Sequence, residues 1–159
     1  LYGSMQDITA QKAMQIELQA SEEKVRSARD FYVSLVGAVN VVLWEAEPIT
    51  RRVTYISPKA KDMCGYEEEQ WLSFNAFWQA HVHPDDRERV LSFVEERIKT
   101  KESYSVEYRF IKPDKTIIWL SDVVSVVREN ADILLFRGAM TDVTERKKMQ
   151  EALSKSEEQ

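Results

Sequence analysis

The stretch YSVEYRFIKPDKTIIWLSDVVSVVRENADILLFRGAMTDVT, residues 104–144, decides the fold class. It opens with apolar residues alternating with polar ones, as in a half-buried β-strand; the apolar set is Tyr104, Val106, Tyr108 and Phe110. Residues 112–115 and 129–132 have turn composition, and residues 116–127 and 133–141 predict two further strands. Because these connections are too short for parallel crossovers, we predict an antiparallel three-stranded meander.

The chain before this meander predicts a β-hairpin followed by helices. Residues 41–47 and 53–57 are rich in β-branched and aromatic residues and flank a turn-like segment. Short helices are expected at 58–64 and 67–73, with Gly65 as a C-cap between them. A longer helix is expected from His83-Pro-Asp-Asp86 to about residue 101, because proline and acidic residues favour the first helical turn. The order of elements indicates an α+β fold.

A long helix is expected over residues 9–38, because the segment contains no proline and has Gly37 only near its end. One face follows heptad spacing and predicts a dimer seam; its members are Met14, Leu18, Ser21, Val25, Ala28, Tyr32 and Leu35. Serine and alanine weaken this seam. A two-chain coiled coil and an amphipathic helix that lies on its own domain both remain open.

The two ends of the chain resemble each other at an offset of 135 residues, with 11 identities in 22 positions from Gly3 and from Gly138. Asp7 and Thr9 recur as Asp142 and Thr144. A repeat of this kind predicts a tandem array of modules. We therefore expect residues 1–8 to be the tail of a preceding module, 9–38 a connector helix, 39–141 the core, and 142–159 the start of an exit helix.

Composition argues against several classes of function. The net charge of −5 gives no electrostatic attraction for nucleic acid, and the apolar runs are too short to span a membrane. Cys64 is the single cysteine, so no internal disulfide or thiolate metal cluster is expected. A reducing, cytoplasmic location fits this usage, although a longer parent protein could be anchored in a membrane.

Several short motifs resemble the PAS family, in the subfamily with a His-Pro-Asp-Asp segment before the long helix. The matching residues, in chain order, are Trp44, Tyr55-Ile-Ser-Pro58, Gly65-Tyr66, Trp78, His83-Pro-Asp-Asp-Arg87, Tyr108-Arg-Phe110, Trp119, Gly138 and Asp142-Val-Thr144. The resemblance implies a five-stranded antiparallel sheet with helices on one face and a small pocket. It also implies that Asp142 and Thr144 couple the sheet to an exit helix and that the domain forms a homodimer.

The same resemblance places such a domain beside neighbouring PAS and output domains of one signalling chain. It leaves open a sensor histidine kinase or a diguanylate cyclase as the parent protein. No catalytic constellation is present in the sequence, so we expect this fragment itself not to be an enzyme.

The sequence names no cofactor. Cys64 lies outside the cysteine motif of photoactive flavin domains, which argues against covalent flavin photochemistry, and helix initiation explains His83 better than haem or metal ligation does, so no metal site is predicted. A pocket for a small molecule, if occupied, is expected among the interior apolar residues; the candidates are Leu43, Ile56, Met63, Phe77, Phe93, Tyr108, Trp119 and Phe136.

Three functions remain open at this point. The first is a ligand sensor, the second a ligand-free dimerisation and spacer module, and the third a domain that binds a protein partner through its sheet. The many bulky apolar residues slightly favour the second function.

Overall fold

The computed structural model describes residues 2–38, 40–100 and 103–158. The elements in chain order are α1 Tyr2–Ala38, β1 Val42–Ala46, β2 Val53–Ile56, α2 Lys59–Cys64, α3 Glu68–Leu72, α4 Phe77–His81, α5 Pro84–Thr100, β3 Ser103–Ile111, β4 Ile117–Glu129, β5 Asp132–Asp142 and α6 Thr144–Glu158. The long helix α1 is one compact unit, and β1 to α6 form a second. Within the described ranges, no helix has the length and apolar composition needed to cross a bilayer.

The five strands form one antiparallel sheet in the order β2-β1-β5-β4-β3. The predicted hairpin and the predicted meander are both confirmed, and β5 joins them by pairing with β1. Left-handed backbone at Lys115 and Asn130 closes the two turns of the meander. The α+β class and the five-stranded sheet are therefore confirmed.

The core lies on one face of the sheet, beneath helices α2 to α5. Inward positions of β4 alternate strictly with outward ones, and Ile118, Leu120 and Val124 are buried. Trp71 on α3 lies parallel to Phe110 on β3, with ring centroids 5.7 Å apart. Aromatic packing of this kind fixes the helical layer on the sheet.

The His-Pro-Asp-Asp segment fastens α5 to β3. Asp86 is buried, and its carboxylate accepts hydrogen bonds from the Arg109 backbone N at 2.8 Å, from Nε at 3.0 Å and from Nη2 at 2.6 Å. These bonds hold the pKa of Asp86 below its ordinary value. In the same segment, His83 Nδ1 accepts a hydrogen bond from the Asp85 amide at 3.1 Å. The segment therefore has a structural role, which is to hold the start of α5 against β3.

Two features differ from the sequence predictions. Helix α4 was not predicted, because five residues are too few to show a helical period. Helix α1 begins at Tyr2 rather than at residue 9, so the N-terminal copy of the repeat is helical where Gly138–Asp142 is strand. The C-terminal copy is held between β1 and β4, whereas the N-terminal copy pairs with no strand in the part of the chain that the structure describes. The tandem-array interpretation stays a prediction.

Candidate functional site

A cavity of about 70 Å³ lies between the inner face of the sheet and helices α3 to α5. Its wall is mostly apolar and aromatic, and one carboxyl group, that of Asp122, contributes to it. Asp122 lies on β4 at an inward position and is 3% exposed. A buried carboxyl group beside a cavity is a candidate binding group, because burial of a charge requires compensation by partners.

Aromatic side chains supply that compensation. Trp44 Nε1 donates to Asp122 Oδ1 at 3.0 Å, and the Tyr108 hydroxyl donates to Asp122 Oδ2 at 3.2 Å. Trp78 Nε1 in turn donates to the Tyr108 hydroxyl at 2.9 Å. The network connects α4 to strands β1, β3 and β4. Asp122 is therefore bonded, directly or through Tyr108, to both the helical layer and the sheet.

Burial is the main influence on the pKa values of Asp122 and Tyr108. Desolvation raises the pKa of Asp122 to about 7, although the hydrogen bonds from Trp44 and Tyr108 act in the opposite direction. Desolvation also raises the pKa of Tyr108 well above its ordinary value. Asp122 is therefore near its titration midpoint at neutral pH, while Tyr108 stays a neutral hydrogen-bond donor.

Gly138 on β5 allows Trp44 to reach Asp122. Trp44 on β1 is paired with Gly138, and Asp122 lies on the strand beyond. A Cβ atom at position 138 would lie 2.3 Å from two carbons of the Trp44 ring. The absence of a side chain at Gly138 therefore lets the indole lie flat across β5 and meet the carboxyl group of β4.

The cavity wall contains further polar side chains, among them Trp71, Arg51, Asn75, Gln79 and Tyr104. Trp71 is 1% exposed, and its Nε1 has no hydrogen-bond partner among the described residues. Arg51, in the hairpin between β1 and β2, pairs with Glu95 on α5 at 2.5 Å and lies 6.0 Å from the Phe136 ring centroid. The wall thus contains an unused donor, and a cation that is already paired.

The predicted pocket residues separate into three groups. Ile56 and Phe136 line the cavity. Met63, Phe77 and Tyr108 are buried in the core, and Phe93 packs against Tyr104 with ring centroids 6.2 Å apart. Leu43 and Trp119 alternate onto the opposite face of the sheet, which corrects their predicted position. Any ligand-binding role of these residues stays a prediction.

Asp122 was missed by the sequence prediction. The signal was present, because Leu120, Asp122 and Val124 share one face of a strand whose inward residues are otherwise apolar. An acidic residue in such a row is buried by the alternation alone. What the alternation does not give are the indole contacts, from Trp44 to Asp122 and from Trp78 to the Tyr108 hydroxyl, because both indoles come from distant parts of the chain.

The junction between β5 and α6 lies against β4. Val143 donates its backbone N–H to the Trp119 backbone carbonyl at 2.9 Å, and the Thr144 hydroxyl accepts a hydrogen bond from the Trp119 backbone N–H at 3.0 Å. Asp142 accepts hydrogen bonds from the amide of Thr144 at 2.9 Å and from its hydroxyl. The predicted relay residues Asp142 and Thr144 therefore lie together at the start of the exit helix; their role in signal transfer stays a prediction.

Charged contacts reinforce this junction. Glu107 on β3 pairs with Arg146 and, at 2.9 Å, with Lys147. Lys147 Nζ also lies 4.7 Å from the Trp119 ring centroid. These cations hold the pKa of Glu107 below its ordinary value. The first turn of α6 is thus bound to β3 and β4 by side chains as well as by the backbone.

The predicted dimer seam lies on α1. Met14, Leu18, Val25 and Ala28 are exposed along this helix. The side chains of Tyr32 and Leu35 lie outside those that the structure describes. An exposed apolar row of this kind is available for a partner helix, and the seam stays a prediction.

Comparison with known proteins agrees with this architecture. The chain is 30% identical over 152 residues to an uncharacterized protein, y4lL, of Sinorhizobium fredii; the match covers 95% of this chain and 17% of that protein's length. A sensory box histidine kinase/response regulator from Burkholderia thailandensis is 28% identical with a TM-score of 0.65, over 80% of this chain and 95% of that one.

The N-terminal domain of a diguanylate cyclase with a PAS/PAC sensor from Marinobacter aquaeolei is also similar. It is 25% identical with a TM-score of 0.63, and the match covers 67% of this chain and 98% of that one. The family model described as the PAS fold matches residues 53–140, more than half of the chain. The chain belongs to the PAS fold family.

Proposed function

We propose that this PAS domain is the ligand-sensing module of a multidomain signal-transduction protein. In this proposal a small molecule enters the cavity beside Asp122, and helix α6 carries the resulting change to an output domain. The fragment itself performs no catalysis in this scheme. Its relatives in a histidine kinase and a diguanylate cyclase favour one of these enzymes as the parent protein.

The observation that carries the proposal is the buried carboxyl group in the cavity wall. Asp122 is 3% exposed, and its pKa is raised to about 7. A leucine or valine at this inward position would pack without the desolvation penalty. An acidic residue at this position supports a binding role, since a titratable group whose pKa is perturbed by burial in a cavity is a candidate functional group.

The strand that carries Asp122 also contacts the exit helix. Trp119 lies three residues before Asp122 on β4, about 10 Å along the strand. Its backbone N–H and carbonyl are bonded to Thr144 and Val143. A shift of β4 that accompanies cavity filling would therefore change the start of α6. The effect on output requires that the ligand have different affinities for two conformations.

A test of ligand sensing uses the indole N–H resonances of the four tryptophans. A panel of metabolites of up to about six non-hydrogen atoms would be added to the wild type, to Ala46→Val and to Ala139→Val. Ala46 lines the cavity and Ala139 lies on the other face of the sheet, so the second variant is a matched control.

We expect at least one compound to shift the Trp44 and Trp78 resonances in the wild type and in Ala139→Val. The added methyl groups of Ala46→Val should weaken that response at least fivefold. A panel in which no compound moves these resonances would overturn ligand sensing, and so would an equal response in Ala46→Val.

A second candidate function is a ligand-free dimerisation and relay module. It is favoured by the small size of the cavity, about 70 Å³, and by the exposed Met14, Leu18 and Val25 on α1. Native mass spectrometry should then show a species at twice the 18.6 kDa monomer mass. Leu18→Asp should abolish the dimer, and Gln19→Asp, outside the seam, should not. A wild-type monomer at micromolar concentration would contradict this candidate.

A further inference from the structure

The carboxyl group of Asp122 retains capacity to accept hydrogen bonds. Each carboxylate oxygen can accept two, and the structure gives Oδ1 one donor, Trp44, and Oδ2 one donor, Tyr108. Asp122 is part of the cavity wall. A molecule in the cavity that offers an N–H or O–H donor would therefore complete the coordination of this group.

Trp71 has the complementary requirement. Its Nε1 is buried and without a partner among the described residues, and Trp71 belongs to the same cavity wall. An unpaired buried donor is a penalty that an acceptor removes. An occupant that both donates and accepts would thus satisfy Asp122 and Trp71 together, which a purely apolar occupant cannot do.

The charged groups in the cavity wall limit further the chemical class of an occupant. A small anion would be repelled by Asp122 in its ionised form, because the compensation of that charge comes from neutral aromatic donors. A small cation would meet the Arg51 guanidinium, which lines the same cavity, and an ammonium or amidinium group offers no acceptor to Trp71. These groups favour a neutral occupant.

The volume sets the size of the occupant. A cavity of about 150 Å³ accepts benzene, which has six non-hydrogen atoms. By the same ratio, the cavity of about 70 Å³ accommodates about three. Larger cofactors such as flavin or haem require the wall to move first.

We propose that the cavity binds a small neutral molecule of amide type, whose N–H group donates to Asp122 and whose carbonyl oxygen accepts from Trp71. This inference rests on the proposed sensing function and specifies its ligand class. The assignment makes Asp122 the residue that discriminates against carboxylates of the same shape.

Formamide, formate, formamidinium and acetonitrile test the assignment, because each has three non-hydrogen atoms. Formamide, formate and formamidinium share a bent, planar skeleton and differ in charge and in donors, while acetonitrile, which is linear, has the same number of heavy atoms and no N–H donor. Each would be titrated into the 159-residue chain while the indole N–H resonances are recorded. Ala46→Val, whose added methyl groups occupy part of the cavity, is titrated in parallel as the control for solvent effects.

We expect formamide to shift the Trp44 and Trp71 resonances saturably in the wild type and at least fivefold more weakly in Ala46→Val. A ligand of three atoms binds with a Kd of about 1 mM or weaker. Formate and acetonitrile should bind at least tenfold more weakly. Tighter binding of formate or formamidinium than of formamide would overturn the proposal, and so would equal binding of acetonitrile.

Variants separate the two contacts. Asp122→Asn should weaken formamide binding about tenfold and admit formate, since the new amide donates to a carboxylate. Trp71→Phe should weaken formamide binding about fivefold and keep the rejection of formate. Unchanged selectivity in a folded Asp122→Asn variant would overturn the role of Asp122. Binding of other metabolites without any response to formamide would overturn this ligand class while leaving ligand sensing intact.

Discussion

Replacement of Asp122 by asparagine should remove a pH dependence of folding that the wild type carries. Burial raises the folded-state pKa of Asp122 to about 7 from its ordinary value of 3.8. Between these values the folded protein binds a proton at Asp122 that the unfolded chain has released. The free energy of unfolding therefore falls as pH rises through this window, and the favourable contribution is fully present only below the unfolded pKa.

The size of the change in unfolding free energy follows from the pH range in which Asp122 is protonated in the folded protein and ionised in the unfolded chain. The free energy of unfolding falls by about 1.4 kcal/mol per pH unit well below the folded-state pKa and by half of that at the pKa, so the loss from pH 5 to pH 7 is about 2 kcal/mol. The ionisable groups that interact with Asp122 are Tyr104, Tyr108 and Cys64, and burial raises the pKa of each. None of them titrates between pH 5 and pH 7, so the change is assigned to Asp122.

Urea unfolding of both proteins at pH 5, 6 and 7, followed by tryptophan fluorescence, measures the effect. The difference in unfolding free energy between Asp122→Asn and the wild type should increase by about 2 kcal/mol over this range, in favour of the variant. Surface carboxylates cancel in that difference. With a slope of about 2 kcal/mol per molar urea, the midpoints should diverge by about 1 M. Parallel pH profiles would refute the raised pKa of the buried Asp122.

Three further substitutions test the contacts that shape the site. Gly138→Ala places a Cβ against Trp44 and should destabilise the fold by about 3 kcal/mol in urea unfolding, with a displaced Trp44 indole resonance; an unchanged midpoint would contradict the close approach. Asp86→Ala leaves Arg109 without its buried partner and should lower the unfolding free energy by about 3 kcal/mol, an effect that should vanish at acidic pH, where Asp86 is protonated. Thr144→Val should cost about 1 kcal/mol and speed amide exchange in the first turn of α6, and equal exchange rates would count against this junction.

Most of the architecture could be predicted because its signals are local. Alternation along residues 104–110 and short turns specify antiparallel strands, and Pro84 with two acids specifies the start of α5. The position of β1 beside β5 is not local, since it joins residues about 90 positions apart. The resemblance to PAS sequences supplied that pairing.

The candidate site was predictable only in part. Ile56 and Phe136 were placed in the cavity because apolar strand residues face the interior. Leu43 and Trp119 were misplaced because hydrophobicity alone does not say which face of a strand is inward. The network around Asp122 depends on side-chain reach across β5, and only the structure supplies that distance.

Hydrogen exchange at the start of α6 measures whether occupancy of the cavity is coupled to the exit helix. The amides of Val143 and Lys147 would be followed with and without formamide at a concentration that saturates the Trp71 resonance. We expect at least a threefold change in their exchange rates in the wild type, and no change in Ala46→Val. Saturation of the Trp71 resonance with unchanged exchange at Val143 and Lys147 would contradict this coupling.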